Sequence, residues 1–327
     1  MKRLLSLAVS LVILVLIYWK VDFAELIAVL RNCDRRWLPT SLAMVIPITL
    51  ITAWRLQQLM PRSKRGDRNL GGAEISPLPF GEANRLILAA SALNMVLPSK
   101  MGDIAKAYFM GDRGHLDRSL SLSLVVFEKA CDMLSLLLWC AFGLLLYPQK
   151  DGLFWFFTVS ILGGLALGLL LLGSAQFAQA FFNLGRNIAP KKMKPKFEKL
   201  HKAWGEMHRY FWSDKTQLAK ITLTSVFLWF LHLLQIWFFI LALRETVPAL
   251  ANFALSPLAI LAGLLPLTFA GVGTRDAALV LFYQPYMPEA AAAALGVLCT
   301  SRYFLPAIGG LPFLNQYLSA VKTMKAR

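Results

Sequence analysis

Six long apolar runs dominate the pattern of hydrophobic and polar positions along the chain. Each run is close to the ~17–25 residues that an α-helix needs to cross a bilayer. Lipid offers no partner to open backbone groups, so we predict a transmembrane helix for each run. The predicted spans are residues 4–19, 37–60, 118–147, 153–173, 216–243 and 289–318.

The first run also has the basic start and the apolar stretch of a signal peptide. No small-residue cleavage site follows it, and aromatic and charged residues come instead. We therefore expect an uncleaved first span, with Lys2, Arg3 and Lys20 extending from its ends toward the membrane surfaces.

Two further apolar segments, residues 84–111 and 253–284, are interrupted by proline and glycine. Their pieces are roughly 8–16 residues long, which is less than the ~20 residues that one crossing needs. We therefore predict two re-entrant hairpins. The alternative is that proline and glycine only kink two ordinary helices.

The order of predicted elements occurs twice along the chain. Residues 1–147 contain a span, a loop, a span, a hairpin and a span, and residues 153–318 contain the same series. An amphipathic stretch follows the first span of each half, within 23–30 and within 197–211. Since each half has three full spans, the second copy is inverted, an arrangement typical of transporters whose substrate site lies near the midplane. We predict one membrane domain over residues 1–327.

Composition supports this fold class, an all-α polytopic membrane protein. The chain has 327 residues, of which 57% are hydrophobic, and a mean hydropathy of +0.57. Its formal charge of +16 would favour nucleic-acid binding in a soluble protein. Here the basic residues cluster in loops on one side of the predicted spans, so we expect no nucleic-acid partner.

The positive-inside rule makes that basic side cytoplasmic. It places both termini and a basic amphipathic segment, residues 174–215, on the cytoplasmic side of a bacterial-type inner membrane. We expect this segment to contact anionic lipid headgroups.

Several kinds of site have no sequence signal. The four cysteines show no C-x-x-C spacing, and the four histidines have no ligand-spaced partners, so we predict no disulfide and no metal site. No phosphate-binding G-x-x-x-x-G-K-[ST] loop occurs, and "GVGTRD" lacks the third glycine and the preceding strand of a dinucleotide site. We therefore predict no cofactor and no catalytic residue.

Charged residues inside the apolar spans need a physical reason, because each costs about 2.5–3.5 kcal/mol at mid-bilayer. Glu128, Lys129 and Asp132 lie in the third span, and Arg302 lies in the last. Arg302 has two roles open to it, a buried ion pair with one of the two acids or direct contact with a substrate. For the two acids the alternatives are that pair, a proton relay, or a water-accessible position near the cytoplasmic end.

Charged residues and glycines also surround the two hairpin breaks. A cation beside glycine, near the N-terminus of a half-helix, suits a phosphate group. The acidic residues have a second role open to them, which is to cap the half-helices. The predicted substrate-binding residues are Lys100, Gly102, Asp103 and Lys106 in the first hairpin and Gly271, Gly273, Arg275 and Asp276 in the second.

Four motifs follow one another: "NMVLPSKMGDIAKAYFM", "SLSLVVFEKACDML", "LLPLTFAGVGTRDAALVLF" and "SRYFLPAIGG". Together they resemble the lysylphosphatidylglycerol synthase transmembrane-region family, over roughly residues 84–312. The family pattern is Pro-x-Arg-x-Gly-Glu with a later Arg, then Glu-Arg-x-x-Asp, then Pro-x-x-x-Gly-Gly-x-Gly-x-x-Glu. The matching positions are Pro98, Lys100, Gly102, Asp103 and Lys106, then Glu128, Lys129 and Asp132, then Pro266, Ala270, Gly271, Gly273 and Asp276.

This chain departs from the pattern in one direction, with Lys in place of Arg and Asp in place of Glu. Charge sign is kept but bidentate geometry is lost, so a different headgroup or looser binding is expected. The resemblance implies a flippase-like membrane domain. In multidomain relatives a separate soluble domain attaches lysine to phosphatidylglycerol. The chain ends at Arg327, soon after its last span, so we expect that domain and lysyl transfer to be absent.

These features predict transbilayer movement of an anionic phospholipid or a polyprenyl-phosphate-linked lipid. One alternative is a membrane enzyme that uses Glu128 and Asp132 as general acid and base on a lipid-linked substrate, although no nucleophile, metal cluster or nucleotide loop accompanies them. Another is an accessory subunit of a separate synthase. Membrane lipids are the expected partners. Two protein associations are also open to the chain, a homo-oligomer and a complex with a partner synthase.

Overall fold

A computed structural model of the protein describes residues 22–60, 78–96, 101–112, 118–147, 150–190, 193–264 and 273–315. All regular secondary structure in these ranges is helical, which confirms the predicted all-α class. The predicted first span, residues 4–19, lies outside them.

We number the α-helices in chain order. The first half contains α1 (Phe23–Arg31), α2 (Trp37–Ala43), α3 (Val45–Leu59), α4 (Phe80–Val96), α5 (Met101–Asp112) and α6 (Arg118–Leu146). The second half contains α7 (Gly152–Gly173), α8 (Ala175–Ile188), α9 (Lys194–Ser213), α10 (Lys215–Ala242), α11 (Ala249–Gly263), α12 (Thr274–Tyr283), α13 (Glu289–Ser301) and α14 (Phe304–Gly310), and a 3₁₀ turn, Leu311–Phe313, follows.

Five segments of the described chain are long and apolar enough to cross a membrane. They are Trp37–Leu59, Leu120–Leu146, Gly152–Gly173, Lys215–Ala242 and Glu289–Phe313. These segments agree with five of the six predicted spans to within a few residues, so the protein is a polytopic membrane protein.

Proline interrupts two of these spans, which the sequence analysis treated as continuous. α2 ends at Ala43, four residues before Pro47, and α13 ends just before Arg302, four residues before Pro306. A proline lacks the N–H that would bond to the carbonyl four residues earlier, and its ring collides with that carbonyl. The first and last described spans are therefore each built from two helices.

The two interrupted apolar segments each form a pair of helices that pack against each other, α4 with α5 and α11 with α12. The longest of the four, α4, has 17 residues and a length of about 26 Å, less than the ~30 Å of a hydrocarbon core. Both pairs begin about four residues before the predicted start, directly after Pro79 and Pro248, whose carbonyl oxygens accept the N–H groups of Ala83 at 2.9 Å and Asn252 at 3.1 Å. Both breaks, residues 97–100 and 265–272, lie outside the described residues.

Each helix pair also packs against the last span of the other half. α4 contacts α14, and α11 contacts α6. At both crossings a glycine is required: a Cβ on Gly310 would lie 2.0 Å from the carbonyl oxygen of Leu88, and one on Gly143 would lie 2.3 Å from that of Ala254. The same close crossing therefore occurs twice, with the two halves exchanged.

The amphipathic stretches are helices that lie beside the spans. In α1, Asp22 caps the first turn by accepting the N–H of Ala24 at 2.8 Å. In α9, the ring of Phe211 stacks on Phe127 of α6 with centroids 3.8 Å apart. α8 and α9 cover the predicted amphipathic segment, and α9 presents Trp204 and Phe211 to the core.

Candidate functional site

The guanidinium of Arg55 is the centre of a buried group of charges. It lies in α3, where its Nη2 donates to Glu128 Oε1 at 3.0 Å and its Nη1 donates to Asp132 Oδ1. Nη1 also donates to Ser225 Oγ of α10 at 2.8 Å. Arg55 and Glu128 are only 3% and 1% exposed. Three spans therefore meet at one arginine.

The second helix of the first interrupted segment joins the same group. Lys106 Nζ of α5 lies 2.5 Å from Glu128 Oε2, and Lys129 Nζ of α6 lies 3.1 Å from Asp103 Oδ2. Lys129 also lies 3.6 Å from Asp132 Oδ2. We call Arg55, Asp103, Lys106, Glu128, Lys129 and Asp132 the balanced cluster, because its three cations and three carboxylates leave no net charge.

Of the two roles left open for Arg302, the ion pair with Glu128 or Asp132 is not formed. Arg55 occupies that position as the guanidinium partner of both acids. Arg55 was not among the predicted site residues, although it lies inside a predicted span and an intramembrane charge needs a partner. That rule, applied to every charge within a predicted span, would have found it.

In the second interrupted segment, Arg275 and Asp276 pair with each other. Arg275 Nε and Nη2 donate to Asp276 Oδ1 at 3.0 and 2.6 Å. Nη2 also donates to the Gly296 carbonyl at 3.1 Å and to Thr300 Oγ1 at 2.6 Å. The pair is buried and joins α12 to α13.

Asp276 also caps its own helix, which is the structural role expected for it. Its Oδ2 accepts the N–H of Gly273 at 3.0 Å. Gly273 has a φ of 102°, a conformation that favours glycine, and this conformation starts α12. One carboxylate thus neutralises Arg275 and fixes the first turn.

Gly102 serves close packing inside the first helix pair. Its N–H donates to Asn94 Oδ1 at 2.9 Å, and an added Cβ would lie 2.2 Å from the carbonyl oxygen of Ala90. Lys100 and Gly271, the other predicted residues at the breaks, lie outside the described residues.

Arg302 has no carboxylate partner among the described residues. It is 5% exposed and lies where α13 ends. Its Nη1 donates to Gln235 Oε1 at 3.4 Å and its Nη2 donates to Tyr303 OH at 3.3 Å, while its Nε has no hydrogen-bond partner within the described part of the chain. Among the buried charges of the described residues, Arg302 alone has no carboxylate within ion-pair distance.

The two charged regions lie at different depths along α10. Ser225 contacts the balanced cluster and Gln235 contacts Arg302, so ten residues, or about 15 Å of helix, separate them. α10 has 28 residues and is about 42 Å long, so both contacts fall in its interior. The buried charge is therefore balanced at one level and positive at the other.

Within the described residues, no three His, Cys, Asp or Glu side chains come together as metal ligands would. Fold and site together define a class, polytopic all-α membrane proteins that bury charged side chains on interrupted helices. The sequence profile of the lysylphosphatidylglycerol synthase TM region matches residues 3–310, and the chain belongs to this family. This match confirms the resemblance drawn from the four motifs. No curated protein matches the sequence.

Proposed function

We propose that the protein moves an anionic lipid, a phospholipid or a polyprenyl-phosphate-linked lipid, from one leaflet to the other. The observation that carries this proposal is the reciprocal packing of the interrupted segments, α4 on α14 and α11 on α6. It supports an inverted repeat of residues 1–147 and 153–318, with re-entrant hairpins at 84–111 and 253–284.

Reciprocal packing couples the two halves. A rotation of one half against the other moves both glycine crossings, Gly143 on α11 and Gly310 on α4, at the same time. Alternating access in inverted repeats works by this kind of motion around a fixed site. The lipid tails would remain in the bilayer while the headgroup passes between the halves.

The charges favour an anionic headgroup. Lys106 and Arg275, two predicted phosphate-binding residues, are held by Glu128 and Asp276. Among the buried charges of the described residues, the cation that no carboxylate holds is Arg302, which we propose as the first contact of the headgroup. Lys106 and Arg275 would bind it only after their ion pairs open, so Glu128, Lys129, Asp132 and Arg302 form a polar lining that exchanges partners.

The ion pairs also bear on the alternative of a membrane enzyme. Glu128 accepts from Arg55 and Lys106, and Asp132 accepts from Arg55. Carboxylates held by cations in this way are better suited to a polar lining that stabilises the protein than to general acid and base catalysis. The balanced cluster therefore supports transport over catalysis.

The test is lipid movement in vesicles that contain the purified protein. Arg302→Gln removes the charge and keeps a polar side chain, and Arg31→Gln, at an exposed position of α1, is the matched control. A charge-assisted hydrogen bond contributes about 1.5–3 kcal/mol, so movement of labelled phosphatidylglycerol should slow roughly tenfold or more with Arg302→Gln. Arg31→Gln should be within about twofold of the unmodified protein. Equal rates for all three proteins would contradict the proposal.

A further inference from the structure

A groove with a volume of about 390 Å³ lies on the side of the protein. Its walls come from three places along the chain, and its lining is mostly apolar, with Thr49 and Asn84 as its polar residues. α2 and α3 supply Leu42, Ala43 and Leu50, α4 supplies Leu88, and α14 supplies Leu305 and Pro306. Both proline interruptions, at Pro47 and Pro306, are therefore next to the groove.

Two short paths connect Arg302, which is not itself a lining residue, to one end of the groove. Leu305 and Pro306 follow Arg302 within four residues. On the opposite wall, Leu42 follows Ser41, whose carbonyl accepts a hydrogen bond from Gln235 Nε2 at 2.9 Å. Gln235 in turn accepts from Arg302. Residues 42–50 extend away from this end for about 12 Å.

The Arg302 guanidinium has hydrogen-bonding capacity that the described residues do not use. Buried polar groups nearly always have a partner. Arg302 Nε is buried without one, and its two other contacts, at 3.4 and 3.3 Å, are long for charge-assisted bonds. A guanidinium presents its N–H groups in a planar fork that suits a phosphate.

The groove also opens toward the surroundings of the protein. Ile46, Leu50 and Leu305 of its lining are 62%, 38% and 43% exposed, and each belongs to an apolar span. A molecule that fills the groove from this side therefore comes from lipid and is apolar over about 12 Å.

We infer that Arg302 binds the phosphate of a membrane phospholipid that enters sideways, with one acyl chain in the groove between α2, α3, α4 and α14. The site rests on the proposed function for its place in transport, but phospholipid binding does not require movement. The acyl chain enters through the gap that the proline interruptions leave between the helices. Arg302 selects an anionic lipid because no carboxylate among the described residues neutralises it.

Binding is tested by lipid retention, with native mass spectrometry of the detergent-solubilised protein. The probes are dioleoylphosphatidylglycerol, dioleoylphosphatidylcholine and inorganic phosphate. The unmodified protein should retain phosphatidylglycerol roughly tenfold better than phosphatidylcholine, and Arg302→Gln should lose this preference. Arg302→Lys keeps the positive charge, so this variant should keep part of the preference for phosphatidylglycerol.

The groove has its own variant. Ala43→Trp places a large side chain at an exposed wall position, and Leu145→Trp, on the outer face of α6 where Leu145 is 79% exposed, is the matched control. Ala43→Trp should release phosphatidylglycerol, whereas Leu145→Trp should not. Equal retention by Ala43→Trp and the unmodified protein would overturn the groove assignment.

The other outcomes separate the alternatives. Inorganic phosphate that binds as well as the lipid, unaffected by Ala43→Trp, would show a site for free phosphate and overturn the inference. Unchanged retention in Arg302→Gln would do the same, even if the protein moves lipid. Retention that depends on Arg302 in a protein that moves no lipid would support the site and contradict the proposed function.

Discussion

At the scale of single residues, the protein handles its buried arginines in two ways. Arg55 and Arg275 are paired with carboxylates. The hydrogen-bond partners of Arg302 among the described residues are all neutral. The first two therefore hold helices together, and the third is available to an anion. A buried ion pair is strongly destabilised when one partner is removed, because the other charge stays buried and uncompensated.

This asymmetry predicts a large effect at Arg55. Arg55→Leu leaves Glu128 and Asp132 facing only lysines and should destabilise the protein by about 3–5 kcal/mol, measured as a lower midpoint of unfolding in detergent. Adding Glu128→Gln to Arg55→Leu should restore part of the loss, since it removes one uncompensated charge. Arg31→Leu, at an exposed position, is the control. An Arg55→Leu protein as stable as the control would contradict the role given to the balanced cluster.

The sequence predicted which charges lie within the membrane better than it predicted their partners. Glu128, Lys129, Asp132 and Arg302 were identified from their positions in apolar runs. Their partners depend on which helices meet, and no local pattern carries that information. Arg55 bonds to side chains of α6 and α10, both distant in sequence.

At the scale of elements, glycine and proline decide where helices approach and where they end. Gly143 and Gly310 allow two backbones to touch, and Pro47 and Pro306 divide two spans. The spans and both interrupted segments follow from hydrophobic length and from proline and glycine content, so the sequence predicted them. The divisions at Pro47 and Pro306 were missed because hydrophobic length alone does not register a break.

The glycine crossings give a prediction with an internal control. Gly310→Ala and Gly143→Ala place a Cβ against a backbone carbonyl that has little room to shift, so each should destabilise the protein by about 1–3 kcal/mol. Gly163 of α7 has no neighbour within 4 Å of such a Cβ, so Gly163→Ala should be neutral or stabilising by up to about 1 kcal/mol. The measurement is again the unfolding midpoint in detergent. A destabilised Gly163→Ala beside unaffected Gly143→Ala and Gly310→Ala would contradict the assigned crossings.

At the scale of the whole molecule, the two interrupted segments pack in a reciprocal way, but the buried charge of the described residues differs between them. The interrupted segments exchange partners symmetrically, α4 with α14 and α11 with α6. The balanced cluster has no net charge, whereas Arg302 and the pair of Arg275 and Asp276 leave one positive charge buried. This reciprocal packing, together with the unequal buried charge, suits the proposed movement of a charged lipid.

The most direct measurement is the ratio of the rates at which vesicles containing the protein move labelled phosphatidylglycerol and labelled phosphatidylcholine. We predict that the anionic lipid moves roughly tenfold faster or more with the unmodified protein, and that Arg302→Gln brings the ratio close to one. Protein-free vesicles and the Arg31→Gln variant give the reference rates. A ratio of one in the unmodified protein, or a high ratio that Arg302→Gln leaves unchanged, would contradict the proposal that Arg302 selects the anionic lipid for movement.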